Sequence, residues 1–369
     1  MKALSYSCRE YEKGCAETFF SRRRSVLLDV DMKKKHRSTI YDVANQAGVS
    51  ITTVSRVLNA PGMVKTKTKE LVLKVIRDLQ FIPHAEASSR SRKDFRRIGV
   101  LLPYLTTPSF VQRMRGITTA LPGNEYEVII YAVDNAEQLE EYMHMLPHSG
   151  RVDGLIILSL PIKDIYADRL LEGKLETVMV ETGHPYFSSV EINNAEGGRL
   201  VAQDLVKRGY KRFGFVGETG EPPYSLHPGE DRLRGYKEEL KRLGFDLPGK
   251  WICMQPFSME KVVDKACRLM EGEMPEVIFA ASDMQAVAVL KAARRMGIRV
   301  PEDLGLIGFD SIDISDYMDI TTVNQCLDES GRLAAELLRG RLEDNTRPVQ
   351  NITLRLTIVE RGTLRGYAA

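Results

Sequence analysis

Cysteine is scarce and scattered: five residues, Cys8, Cys15, Cys253, Cys267 and Cys326, with no C-x-x-C pair among them. An odd, unpatterned set argues against a disulfide framework and a zinc site, and for a reducing, cytoplasmic setting. The six histidines, His36, His84, His144, His148, His184 and His227, form no ligand-spaced cluster, so no metal is expected. Phosphate-binding loops, HExxH helices and G-x-S-x-G elbows are absent, and Gly197-Gly198 follows no dinucleotide fingerprint. Neither an enzyme nor a cofactor is expected. No apolar run approaches the length of a membrane-spanning helix. Arg22, Arg23 and Arg24 precede a short apolar stretch like the start of a signal peptide, but Asp29 and Asp31 interrupt it too early.

Charge is plentiful but unevenly placed. The whole chain carries a formal +2, yet residues 33–97 hold 15 Lys plus Arg against 5 Asp plus Glu. From residue 98 onward the balance reverses, to 31 against 40. A basic segment of this kind, on an otherwise acidic chain, is a footprint for a polyanion.

Within the basic segment, STIYDVANQAGVSITTVSRVLN (38–59) has the grammar of two short helices around a tight turn. Thr39 can cap the first helix, with Asp42 in its first turn. Val43, Ala44 and Ala47 share a face, and Gly48 stands where the chain reverses. Ser50 can cap the second helix. Val54, Val57 and Leu58 then point inward, leaving Ile51, Thr52, Ser55, Arg56 and Asn59 outward. Short polar groups, a guanidinium and an amide on the first turns of a helix suit base edges in a DNA major groove. A third helix over 66–79 should close the core with Leu71, Val72, Val75, Ile76 and Leu79. Lys65, Lys67, Lys69 and Lys74 lie outside that stripe and are candidates for phosphate contacts.

Residues 1–37 are expected to be an extension outside the folded unit, of which the first 31 are either disordered or precede a true start at Met32. Residues 38–83 form the DNA-binding domain, and 84–97, small, polar and basic, a linker that orders on DNA. From 98 onward apolar strands alternate with amphipathic helices. The strands fall at 98–103, 127–132, 153–159, 177–181, 212–217, 251–254, 277–282 and 304–309. Such alternation means parallel sheets covered on both faces, and the number of units implies two Rossmann-like lobes with a cleft between them. Ligands in such sheets bind beyond the carboxyl ends of the strands.

YDVANQAGVSITTVSRVLN, then FIP, a linker and IGVLLP, resemble the LacI/GalR family of bacterial transcription regulators, and the resemblance continues to the end of the chain. EINNAEGGRLVAQDLVKRGYKRFGFVG, RLRGYKEEL, ASDMQAVAVLKAARRMGIRVPEDLGLIGFD and TTVNQ follow in order. The resemblance implies an all-α helix-turn-helix domain joined to an α/β effector domain like a periplasmic binding protein. It implies a homodimer on palindromic operator DNA, controlled by a small-molecule effector, a sugar or sugar derivative. By position, Ile51 and Thr52 match base-discriminating residues, Arg56 a groove-contacting arginine, and Tyr41 and Ser55 backbone contacts. In the cleft, Phe110 and Phe257 match pocket rings, Arg232 an arginine that reads hydroxyls or carboxylates, and Asp283 the aspartate opposite it. Expected lobe boundaries are 98–193 with 302–328, and 194–301 with 329–369. The chain also departs from the family. Arg90 replaces a leucine wedge in the linker; Thr182-Gly183, Asn193-Asn194 and Ser311 replace groups that contact hexoses. The alternative class is a sugar-binding protein without DNA function, which the basic N-terminal unit disfavours.

Overall fold

The computed structural model describes residues 39–59, 64–79, 96–219, 224–256 and 258–367. The expected extension 1–37, the turn at Ala60-Pro61-Gly62, the helix end at Phe81-Ile82-Pro83, the linker residue Arg90 and the pocket ring Phe257 lie outside the described residues. The chain divides into two units, with the boundary at Ser91 and Arg92.

Among the described residues the first unit holds three helices, α1 (Ile40–Ala47), α2 (Ile51–Asn59) and α3 (Thr66–Asp78). A full capping box starts α1: Thr39 Oγ1 accepts from Asp42 N at 3.4 Å, and Asp42 Oδ2 accepts from Thr39 N at 2.7 Å. Gly48 adopts φ 63, which lets α1 end and the chain turn without a Cβ clash. Ser50 Oγ accepts from Thr53 N at 3.1 Å and caps α2. Val43, Ala44, Ala47, Val54, Val57, Val72 and Val75 are the buried core. Leu71 corrects the expected stripe: it is 47% exposed. At 100° per residue it stands at the edge of the arc centred on Val72, Val75, Ile76 and Leu79.

The second unit contains two six-stranded sheets. The first lobe comprises β1 (Arg96–Pro103), α4 (Pro108–Ala120), β2 (Tyr126–Val133), α5 (Ala136–Ser149), β3 (Gly154–Leu158), α6 (Asp164–Glu172), β4 (Glu176–Val180) and β5 (Ser188–Glu191). The second comprises α7 (Asn194–Lys207), β6 (Phe213–Glu218), α8 (Pro228–Arg242), β7 (Ile252–Gln255), α9 (Met259–Leu269), β8 (Val277–Ala280), α10 (Asp283–Met296), β9 (Gly305–Asp310), α11 (Asp313–Tyr317) and β10 (Thr322–Asn324). The chain then returns to the first lobe with α12 (Leu327–Glu343) and β11 (Asn351–Thr353), and crosses back for β12 (Thr357–Val359). Strand orders are β11-β5-β4-β3-β1-β2 and β12-β10-β9-β8-β6-β7. All pairings are parallel except β10 with β12. Central strands such as GLIIL and VIFA are buried along their whole length, as strands covered on both faces must be.

Two expected boundaries are corrected. β9 and β10 belong to the second sheet rather than the first lobe, and α12 and β11 to the first lobe rather than the second, while β12 joins the second sheet as expected. Periodicity shows which face of an element is buried, not which lobe it joins. β1 begins at Arg96, inside the expected linker, because Arg96 and Arg97 pair with Tyr126 and Glu127.

The two lobes share one internal device. In the first, α4 and α12 touch backbone to backbone: a Cβ on Gly116 would lie 1.9 Å from Asp328 O, and one on Gly331 2.1 Å from Arg113 O. In the second, α7 and α8 do the same: a Cβ on Gly198 would lie 2.1 Å from Arg232 O, and one on Gly235 1.9 Å from Ala195 O. The sequence carries the repeat, as RMRG (113–116) against RLRG (232–235), and ESGRL (329–333) against EGGRL (196–200).

Gly235→Ala gains about 1 kcal/mol of helix propensity. It must also push two helices apart, an overpacking cost of about 1–3 kcal/mol or more, and at a backbone contact of 1.9 Å the second effect wins. Urea unfolding should show the variant less stable than the native chain.

Candidate functional site

The carboxyl ends of the strands gather the polar residues of the second unit. In the first lobe, Glu181 follows β4, Ser159 follows β3, and Arg113 lies on α4. Arg113 Nη2 donates to Glu181 Oε1, and Ser159 Oγ donates to Glu181 Oε2. The same guanidinium donates to Gln325 Oε1 at 3.2 Å. Gln325 stands on the crossover after β10, and its Nε2 donates to Asp310 Oδ1 at 2.5 Å. Asp310 ends β9 of the second lobe and faces Arg232 Nη1 at 3.5 Å. Arg232 donates from Nη1 to Ala281 O at 2.5 Å and from Nε to Asn194 Oδ1 at 2.9 Å, and lies 3.6 Å over the Phe309 ring. A continuous polar chain thus runs from Ser159 to Asn194 through both lobes. Arg113 and Arg232 are almost fully buried, with their charges met by carboxylates and carbonyls.

Further contacts join the lobes around this chain. Tyr224 Oη donates to Asp134 O at 2.7 Å, and Leu226 N donates to Ser159 O at 3.1 Å. Arg115 reaches Asp328 in its own lobe at 2.6 Å and Asp313 of the other at 3.2 Å. Glu218 ends β6, and burial raises its pKa against the pull of Arg232 and His227. No hydrogen-bond donor among the described residues reaches its carboxylate.

The structure brings some of the expected cleft residues together and sets others apart. Arg232 lies in the polar chain. Asp283 does not face it, which corrects the expected pairing. Its carboxylate is wholly buried, accepting from Thr322 Oγ1 at 2.5 Å and Ile312 N at 2.9 Å, so it clamps the segment after β9 to the start of α10. Asp310 takes the place opposite Arg232. Phe110 is a buried ring of the first-lobe core, 6.4 Å from Tyr104 and with the Arg113 guanidinium 5.8 Å from its centroid. It supports Arg113 from behind. Arg113, Glu181, Gln325 and Asp310 were not singled out from the sequence. The RMRG/RLRG repeat was a usable signal for Arg113, since it aligns with Arg232. Thr182 and Ser311, where the chain departs from its family, each follow directly on one of the carboxylates, Glu181 and Asp310.

In the first unit, Tyr41, Ile51, Thr52 and Arg56 are exposed and Ser55 is half-buried. Asn59 is the last residue of α2. Lys65, Lys67 and Lys74 are exposed, and Lys69 is half-buried. Ile51, Thr52, Ser55 and Arg56 lie on α2 away from its buried face of Val54 and Val57.

A helix-turn-helix unit followed by a two-lobed α/β domain with polar groups gathered at its strand ends is the architecture of a ligand-responsive DNA-binding regulator. Comparison with known proteins agrees. Residues 39–84 match the model of bacterial regulatory proteins of the lacI family, and 179–364 that of a periplasmic binding protein-like domain. Catabolite control protein A of Staphylococcus aureus (strain N315) is 31% identical over 331 residues, covering 89% of this chain and 99% of its own. The lac repressor dimer bound to operator and an anti-inducer superposes with TM-score 0.65 at 26% identity, over 89% of this chain and 99% of that one. A complex of the regulator CelR with cellobiose gives TM-score 0.63 at 26% identity, over 89% and 100%. The chain belongs to the LacI family of bacterial transcription regulators. Among the described residues no helix is long and apolar enough to cross a membrane, and no group of His, Cys, Asp and Glu could hold a metal ion.

Burial pushes the Asp283 carboxyl up to about 6. An unfolded aspartate titrates at about 3.9, so between these values the folded chain binds more protons than the unfolded one. Stability contributed at this residue therefore falls as pH rises through that window. Asp283→Asn does not titrate. Calorimetry from pH 4 to 6.5 should show the wild type losing ground to the variant as pH rises; a constant difference would refute the assignment.

Proposed function

We propose that this regulator acts as a repressor, binding a palindromic operator as a homodimer and responding to a small polyhydroxylated, carbohydrate-like effector between the lobes. The observation that carries the reading is the polar chain from Ser159 through Arg113, Gln325 and Asp310 to Arg232, placed where two parallel sheets present their strand ends to each other. Guanidinium and carboxylate groups gathered at strand ends suit a ligand rich in hydroxyls. Cellobiose in the CelR complex is a ligand of that kind. On this reading Arg113, Glu181, Asp310 and Arg232 are the effector-reading groups, Phe110 and Asp283 position them, and Phe257 is assigned by resemblance. No catalytic role is assigned, and a cytoplasmic location follows from the DNA partner.

The DNA reading assigns Ile51, Thr52 and Arg56 to base edges, Tyr41 and Ser55 to the backbone, and Asn59 to the end of the recognition helix. One such small helical unit makes few contacts, so two half-sites about one helical turn apart are needed. After in vitro selection of an operator, Arg56→Ala should weaken binding by about 1–3 kcal/mol and relax preference at one base pair. A loss that is equal on all sequences would reassign Arg56 to phosphate.

Arg90 is proposed to enter the minor groove at the operator centre. A guanidinium suits a narrow A·T-rich groove and cannot wedge between base pairs as an apolar side chain does. Selected operators should be A·T-rich at the centre and only weakly bent in circular-permutation assays; a strong central kink would refute this role.

A further inference from the structure

The cleft contains two matched charge pairs and one carboxylate left over. The pairs are related by the internal repeat: Arg113 with Glu181 in the first lobe, Arg232 with Asp310 in the second. Each arginine lies three residues before the glycine that seats its helix, and each carboxylate stands at the end of the fourth strand of its lobe. Further donors are engaged in part, since Arg113 Nε is buried without a partner among the described residues. Arg113 reaches Gln325, while Arg232 is held by Ala281 O and Asn194 Oδ1. Glu218 has no counterpart in this scheme. It ends β6, the first strand of the second lobe, where the first lobe has the uncharged Pro103 and Tyr104. It is half-buried, and no donor among the described residues reaches its carboxylate.

Building on the effector reading above, we propose that the effector is a polyhydroxyl compound bearing one amino group, an amino sugar or amino polyol, whose ammonium is bound by Glu218. A half-buried carboxylate that no donor among the described residues reaches is free to take a ligand's donor, and a cationic donor gives the strongest hydrogen bond. Burial raises the pKa of Glu218 even against the pull of Arg232 and His227, as it does that of Asp310 beside Arg232. An acidic effector, such as a uronate or sugar phosphate, meets the opposite situation. Both guanidiniums already face carboxylates, Glu181 and Asp310, and an added anion would lie near Glu218 as well. A neutral sugar satisfies the hydroxyl-reading groups and leaves Glu218 unpaired.

The test is calorimetric titration of the full-length protein at pH 7 with matched compounds. These are 1-amino-1-deoxysorbitol against sorbitol and gluconate, and glucosamine against glucose, glucuronate and glucose 6-phosphate. An amino compound should bind about tenfold or more tightly than its neutral partner, and acids more weakly still. Glu218→Gln should remove that margin while binding of the neutral partner persists, which also shows that the variant is folded. Neutral or acidic members binding as tightly as the amines, or a margin that survives Glu218→Gln, would overturn the amine assignment and leave the effector cleft standing. Failure of every compound to bind would overturn the cleft reading itself, and this inference with it.

Discussion

Backbone contact between glycines and carbonyls is the constraint on which the cleft depends. Gly331 rests on the carbonyl of Arg113, and Gly198 on the carbonyl of Arg232. Any side chain at these glycines would move the helix, and with it the guanidinium three residues before Gly116 or Gly235. Arginine has a long, rotamer-rich side chain, and ordering it is costly. Here the backbone is fixed by close helix contact, and the heads are fixed by Glu181, Ala281 O and Asn194. The ordering cost is met during folding, before any ligand arrives, which is how preorganisation favours binding. Four buried clusters, two in each lobe on opposite faces of its sheet, supply the stability that makes this possible.

A second cost is concentrated at the same place. Among the non-glycine residues with positive φ are Tyr104, Ser159, Glu181, Asp310, Ser311 and Cys326. All lie at carboxyl ends of strands or on a crossover between lobes. A side chain leaving a strand in extended conformation points above or below the sheet; a left-handed residue at the strand end redirects it. Each such residue costs about 1–3 kcal/mol. Their grouping where Glu181 and Asp310 meet the arginines is the pattern of strain kept for a site and offset by the surrounding packing.

These two features explain what was legible in the sequence and what was not. The helix-turn-helix was readable almost residue by residue, because capping and glycine reversal are local: Thr39, Asp42, Gly48 and Ser50 each act within four residues of their partners. Strand and helix alternation was equally plain, since central strands are continuous apolar runs. Leu71 was misplaced because periodicity fixes the centre of a buried arc better than its edges. The chain's last crossovers were misassigned because an element's period shows its buried face and not the lobe that it joins. Asp283 looked like a cleft carboxylate from its position at a helix start, yet Asp310 faces Arg232. A single turn of φ at Asp310 decides that, and no local pattern encodes it. The RMRG and ESGRL repeats were visible, but their meaning needed the third dimension: only when α4 lies on α12 and α7 on α8 does one arginine become the counterpart of the other.

The same geometry limits how an effector could act. A ligand shifts an equilibrium only by its differential affinity for the two states. In this arrangement the lobes touch through Gln325 between Arg113 and Asp310, through Tyr224 on Asp134, and through Arg115 on Asp313. A molecule seated among Arg113, Glu181, Asp310 and Arg232 must exchange some of these protein contacts for its own. The Gln325 bonds are the most directly exposed to that exchange, because Gln325 sits on a crossover and its side-chain amide joins a charged group from each lobe. The surface pair Arg115–Asp313 is half-exposed and screened, and contributes little by comparison. Among these contacts between the lobes, the Gln325 bonds are the ones whose side chains are all almost wholly buried.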